Sequence, residues 1–182
     1  MNAPAVNTEC EDTAAAAFDI DRIFRARYER IARVIARVVK DRARAEEIAV
    51  EVFLKLWRNP RAQNGNVEAW LCRTAVRMGL DELRRRTRQA RYERLIALVA
   101  RVPTPEDVRS AGEQEERIRR VLATIGSREA EMLVLRSHGL SYEELASTLN
   151  LNPASVGKFL SRAQQAFRKE FERKYGDENG IG

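Results

Sequence analysis

One stretch restricts the possible folds more than any other: Gly139–Phe171, GLSYEELASTLNLNPASVGKFLSRAQQAFRKEF. It reads as two helices joined by a tight turn. Ser141 can cap the first helix, and Glu144, three residues on, completes a capping box. Leu145, Ala146 and Leu149 then mark one apolar face. Asn150-Leu151-Asn152-Pro153 breaks the pattern, with Asn152 able to cap the next helix and Pro153 suited to its first turn. In that second helix Val156, Leu160, Ala163, Phe167 and Phe171 recur at spacings of three and four and line one side. Ser155, Lys158, Ser161, Arg162 and Gln165 fall on the other. A basic, hydrogen-bonding outer face on the second helix of such a pair suits the major groove of DNA.

The rest of the chain is helical in pattern as well. Charged residues are 33% of its 182 residues and hydrophobic residues 44%, which argues against disorder over most of the length. Ile20, Phe24, Tyr28, Ile31, Ile35 and Val38 predict a helix from about Asp19, ended near Lys40-Asp41. Asp41 would cap a second helix, Arg42–Arg58, with Ala45, Ile48, Ala49, Val52, Phe53 and Leu56 turned inward. Glu47, Val50, Glu51 and Leu54 then point outward. An apolar pair ringed by carboxylates is either a docking patch or a slightly apolar solvated face. Asn59-Pro60 and Gln63–Asn66 read as breaks and loop. Asn66 would cap a third helix from Val67 to about Arg86, with Leu71, Thr74, Ala75 and Met78 inward. Trp70, Arg73, Arg77, Asp81 and Arg84 share another face, and Arg84, Arg85 and Arg86 open a run of arginines. Cations beside an exposed aromatic suit backbone contact and base stacking.

Tyr92–Val102 is apolar enough to remain helical, and Val102-Pro103-Thr104-Pro105 marks a boundary. Beyond it, Glu113–Ile125, Ser127–Ser137 and the opening pair of helices surround one small core, with Ser127 read as the cap after Gly126. The expected fold is therefore all-α: two small helical bundles joined by a linker, the second ending in a helix-turn-helix. The expected divisions are a mobile tail over 1–18, a first domain over 19–94, a linker over 95–112, a second domain over 113–175 and a flexible tail over 176–182.

The net charge of +6 comes mainly from arginine and suits nucleic acid or an acidic protein surface. Other classes find little support. Cys10 and Cys72 are too few for a disulfide framework or a thiolate zinc site, and Cys72 reads as a small core residue. His138 is the only histidine, which leaves little scope for a metal site or an acid–base pair, and at a helix end it reads as capping or solvated. There is no glycine-rich phosphate loop and no GxSxG. No metal, no cofactor and no catalytic residue is expected. No apolar run approaches the roughly 20 residues of a membrane span, and no secretory signal is read at the N-terminus. A cytoplasmic, nucleoid-associated location is the expectation.

Three segments in this order resemble the small two-domain, extracytoplasmic-function sigma factors of the sigma-70 family of bacterial RNA polymerase. Ala45–Arg58, AEEIAVEVFLKLWR, is similar to the helix that grips the polymerase clamp. Glu68–Arg86, EAWLCRTAVRMGLDELRRR, is similar to the helix that engages and opens the promoter near −10. Leu122–Phe167 is similar to the domain that reads the −35 element. The chain departs from the family pattern at Val50, where glutamine is usual, and at Arg77, where asparagine is usual. Basic residues are common where Gly157 and Phe159 stand, and proline and arginine where Gly126 and Ala130 stand.

The resemblance implies a factor that directs core polymerase to promoters and helps open the −10 region. Glu47, Val50, Glu51 and Leu54 would meet the clamp. Ser155, Lys158, Ser161, Arg162 and Gln165 would meet double-stranded DNA at −35, with Ser141, Tyr142 and Lys169 as phosphate contacts. Trp70, Arg73, Arg77, Arg84, Arg85 and Arg86 would hold the single strand at −10. The resemblance also allows an anti-sigma partner. The rival readings are a sigma-derived regulator that acts without core polymerase and a decoy that sequesters another factor.

Overall fold

The computed structural model describes residues 18–100 and 112–176, with side chains at 94 and 96–100 left aside. Every regular element among them is helical. In chain order these are α1 (Ile20–Val39), α2 (Arg42–Trp57), α3 (Pro60–Gln63), α4 (Val67–Ala100), α5 (Gly112–Thr124), α6 (Ser127–Ser137), α7 (Tyr142–Leu149), a 3-10 turn (Pro153–Ser155) and α8 (Val156–Tyr175).

Local chemistry sets most of the boundaries. Asp19 caps α1 by accepting from the Arg22 amide, and Asp41 caps α2 by accepting from Arg44. Lys40 takes a left-handed conformation between them. The expected loop after Asn59 contains one more turn of helix: Asn59 accepts from the Ala62 amide, and Pro60 begins α3. Helix α4 does not end near Arg86 but runs on to Ala100, through the boundary placed at residue 94. Ser127 is the first residue of α6 rather than its cap. Gly126 holds the cap position with no side-chain hydrogen bond. The proline-containing boundary at 102–105, the tail over 1–17 and residues 177–182 lie outside the described residues.

Two helical layers meet on α4. From the first domain, α1 and α2 pack on it, and α1 approaches closely at Gly79, where an added Cβ would stand 3.5 Å from Val38. Phe24, Tyr28 and Phe53 join α1 to α2, with the Phe24 and Phe53 rings edge to face at 4.9 Å. From the second domain, α6 and α7 also pack on α4. Leu71, Cys72, Ala75, Val76, Leu80 and Leu83 of α4 are all buried, a wider arc than a single partner helix can cover. The middle of helix α6 is likewise buried at Ala130, Glu131, Met132, Val134 and Leu135, lying between α4 and α8, while Ser127, Arg128, Arg136 and Ser137 at its ends are exposed. Buried residues of both domains form one cluster. Cys72 is part of it, and burial raises its thiol pKa.

One buried carboxylate ties the first domain together. Glu82 on α4 is only 5% exposed, yet it receives Arg85 at 2.7 Å, Arg86 at 2.9 Å and Arg44 of α2 at 3.4 Å. Arg86 also reaches the α2 cap, Asp41, at 2.7 Å. The Arg85 guanidinium first, with Arg86 and Arg44 behind it, holds the Glu82 carboxyl down to about 2. A lowered carboxylate pKa adds stability above the unfolded value of 4.5, and that stability is lost as pH falls toward 2. Glu82→Gln leaves three guanidinium groups without their shared counter-charge. Urea denaturation at pH 7 is expected to show a loss of about 3 kcal/mol, and the gap to wild type narrows as pH falls from 4.5 toward 2.

Candidate polymerase and nucleic-acid interfaces

Three surfaces hold the residues singled out from the sequence. The first is the outer side of α2. Val50 and Leu54 are exposed, and Trp57, at 58%, extends their line by one more helical step. Trp57 was missed in the sequence reading, although its spacing of three from Leu54 was the signal. Glu47 and Glu51 border the stripe and lie 2.7 and 3.8 Å from Arg44, which fixes their carboxylates beside it. The result is an apolar stripe with an acidic edge, suited to a partner surface that offers an apolar groove and a cation.

The second surface is the outer face of the helix-turn-helix. The capping box at Ser141 and Glu144 is formed on both sides, at 3.2 and 2.7 Å. Asn150 takes the left-handed conformation in the turn, and Asn152 accepts from the Ala154 amide at 2.9 Å. Val156, Leu160 and Ala163 are buried, so Lys158, Ser161, Arg162 and Gln165 face outward, with Ser155 half-buried at the start. Lys169 is exposed on the same helix. Tyr142 lies beside Gly157 and under the Arg136 guanidinium, 5.6 Å from the ring centre. Arg136 in turn donates to the Leu140 carbonyl at 2.8 Å. Phe159 turns away from the outer face: it is half-buried, with Arg128 of α6 5.9 Å from its ring centre. Its apolar side chain therefore lies off the outer face.

The third surface is the rim of α4. Trp70 and Arg73 are half-buried, and Trp70 packs against the core rather than standing free. Arg77 is outward, but its Nε donates to Glu131 of α6 at 2.9 Å. The arginine run is not one open surface. Arg84 is mostly buried beside Asp81, while Arg85 and Arg86 fold onto Glu82. His138 is at the α6 C-cap and half-buried, 3.4 Å from Arg37 of α1, so it is not simply solvated. Burial first, then Arg37 and Arg30, lowers its pKa. No group of His, Cys, Asp and Glu able to hold a metal occurs among the described residues.

These surfaces coincide with the segments of the chain that match known families. Residues 23–89 match the model of sigma-70 region 2, and residues 115–166 match that of sigma-70 region 4. The chain belongs to the sigma-70 family. The two regions fall on the two helical layers, in the order seen in its extracytoplasmic-function group. Among curated relatives, ECF RNA polymerase sigma factor SigE of Mycolicibacterium smegmatis is 27% identical over 173 residues, covering 87% of this chain and 67% of that protein. ECF RNA polymerase sigma factor SigK of Mycobacterium tuberculosis is 26% identical over 148 residues, covering 76% and 78%. Among solved structures, the sigma factor RpoE of Bartonella quintana, in complex with the anti-sigma factor NepR, matches with a TM-score of 0.48 and 16% identity, covering 85% of this chain and 97% of that one.

Within region 4 of this sigma factor, Gly157 sits in an otherwise regular helix. An added Cβ there meets only the Tyr142 ring, at 3.8 Å. Gly157→Ala is therefore expected to raise stability by up to about 1 kcal/mol, read from thermal denaturation. If the bare backbone serves close approach to DNA, affinity for duplex promoter DNA is expected to fall. A variant that gains stability and keeps full affinity removes that role from Gly157.

Proposed function

We infer that this chain is a sigma factor: it directs core RNA polymerase to specific promoters and helps open the −10 region for initiation. The observation that carries this is the pairing of region 2 and region 4 in one chain, each with an exposed face suited to its partner. The factor contributes binding and positioning; bond-making belongs to the polymerase. A factor that acts on core polymerase and promoter DNA works in the cytoplasm, on the nucleoid, and no described helix is long and apolar enough to cross a membrane. The intact apolar stripe on α2 speaks for a polymerase partner and against a regulator acting alone.

In this reading Val50, Leu54 and Trp57 of α2 enter an apolar groove on the clamp, and Glu47 and Glu51 meet cations at its edge. Lys158, Ser161, Arg162 and Gln165, with Ser155 at the helix start, enter the major groove at −35. The arginine fork suits a guanine edge, while Ser141, Tyr142 and Lys169 hold the phosphates. Trp70, Arg73 and Arg77 hold the unpaired strand at −10, with Arg84, Arg85 and Arg86 adding positive potential along its path. Stacking and ion contacts offset part of the few kcal/mol needed to unpair a base.

Leu54→Asp puts a charge at the centre of the stripe on an exposed position. It is expected to abolish co-purification with core polymerase while leaving the helical circular dichroism unchanged. Retained binding would remove this face from the interface. Arg162→Ala is expected to cost about 1–3 kcal/mol on the preferred promoter and to relax selectivity at one position, measured by binding to a promoter library. A small, uniform loss on all sequences would make Arg162 a phosphate contact instead.

A further inference from the structure

The two DNA elements of a promoter are far apart, and this chain is folded too compactly to touch both. Their names place them about 25 base pairs apart, roughly 85 Å at about 3.4 Å per pair. A compact chain of 182 residues has a radius of gyration of about 16 Å and is roughly 40 Å across. If the chain is the promoter factor inferred above, the two domains must separate for it to work.

What holds them together is specific. Arg77, a residue of the −10 rim, gives its Nε to Glu131 of the second domain at 2.9 Å. Glu131 is 5% exposed, and its other oxygen has no hydrogen-bond partner, so Arg77 is its one ion-pair partner among the described residues. At one end of α4, Asn66 donates to Ser147 of α7 at 3.3 Å. Toward the other, Lys40 pairs with Glu115 of α5. Between these links α6 and α7 lie directly on α4. By contrast, the α2 stripe and the outer face of α8 stay open.

We propose that this packing is a self-inhibited state, in which the second domain closes on the −10 helix and the Arg77–Glu131 ion pair is the clasp. An arginine bound to Glu131 is withheld from a DNA strand. The strand in turn offers Arg77 phosphate and base partners that replace the carboxylate, so strand capture and closure compete for one side chain. Because the α2 stripe is already exposed, docking on polymerase precedes opening.

Small-angle scattering on the purified full chain reads closure directly. Glu131→Arg sets two guanidinium groups face to face and is expected to increase the radius of gyration by several Å. The swap Arg77→Glu with Glu131→Arg is expected to return it to the wild-type value. If Glu131→Arg fails to fold, Arg77→Glu, at an outward position, provides the same repulsion. Unchanged compactness in a folded single variant, or a swap that stays expanded, overturns the clasp. Glu131→Gln is expected to bind a fluorescein-labelled single-stranded DNA at least about 5-fold more tightly than wild type, and equal binding overturns self-inhibition. Co-purification of the wild-type chain with core polymerase tests the sigma-factor reading separately. Its failure would remove that reading and leave the scattering result standing.

Discussion

Helix α4 is apolar over more than one face, and the rest of the structure follows from that. A helix with a single stripe is satisfied by one layer of partners. Leu71, Cys72, Ala75, Val76, Leu80 and Leu83 sweep out a wider arc, so α4 is covered by α1 and α2 on one side and by α6 and α7 on another. The same helix carries the rim that would meet the −10 strand. Structural and functional demands therefore compete for it. What is left exposed is a narrow edge of tryptophan and arginine, half-buried at Trp70 and Arg73.

The arginines show how poorly charge in a sequence predicts charge on a surface. Arg84, Arg85 and Arg86 read as a basic run, but their side chains radiate around the helix and find acids. Asp81, Glu82 and Asp41 take them up, and a nearly buried Glu82 is affordable only because several guanidinium groups surround it. The cluster welds α2 to α4 close to the exposed apolar stripe of α2. On α8 neither Lys158 nor Arg162 makes an ion pair among the described residues, and both are exposed. The two basic segments differ in their partners, not in composition.

Region 4 reads most directly from sequence because its signals are local. The capping box at Ser141, the Asn152 cap, Pro153 and the spacing of Val156, Leu160 and Ala163 all act within a few residues. Each was legible, and each is present. Trp57 was legible by the same spacing rule and was overlooked. Phe159 was legible by that rule too, since it stands three after Val156 and four before Ala163, beside the buried stripe. The start of α3 carried the same Asn-Pro signal as Asn152-Pro153, but a single turn of helix adds no periodicity to support it.

The sequence by itself determined the all-α class, most helix boundaries, the helix-turn-helix and the family. These depend on hydrogen bonds and side-chain spacing within single helices, which the order of residues fixes. Only the tertiary structure decided that α4 is shared between the two domains, that Arg44 of α2 joins Arg85 and Arg86 on Glu82 and that Arg77 is held by Glu131. Those pairings join residues up to 54 positions apart in sequence, and no periodicity encodes which charge will meet which once the helices pack.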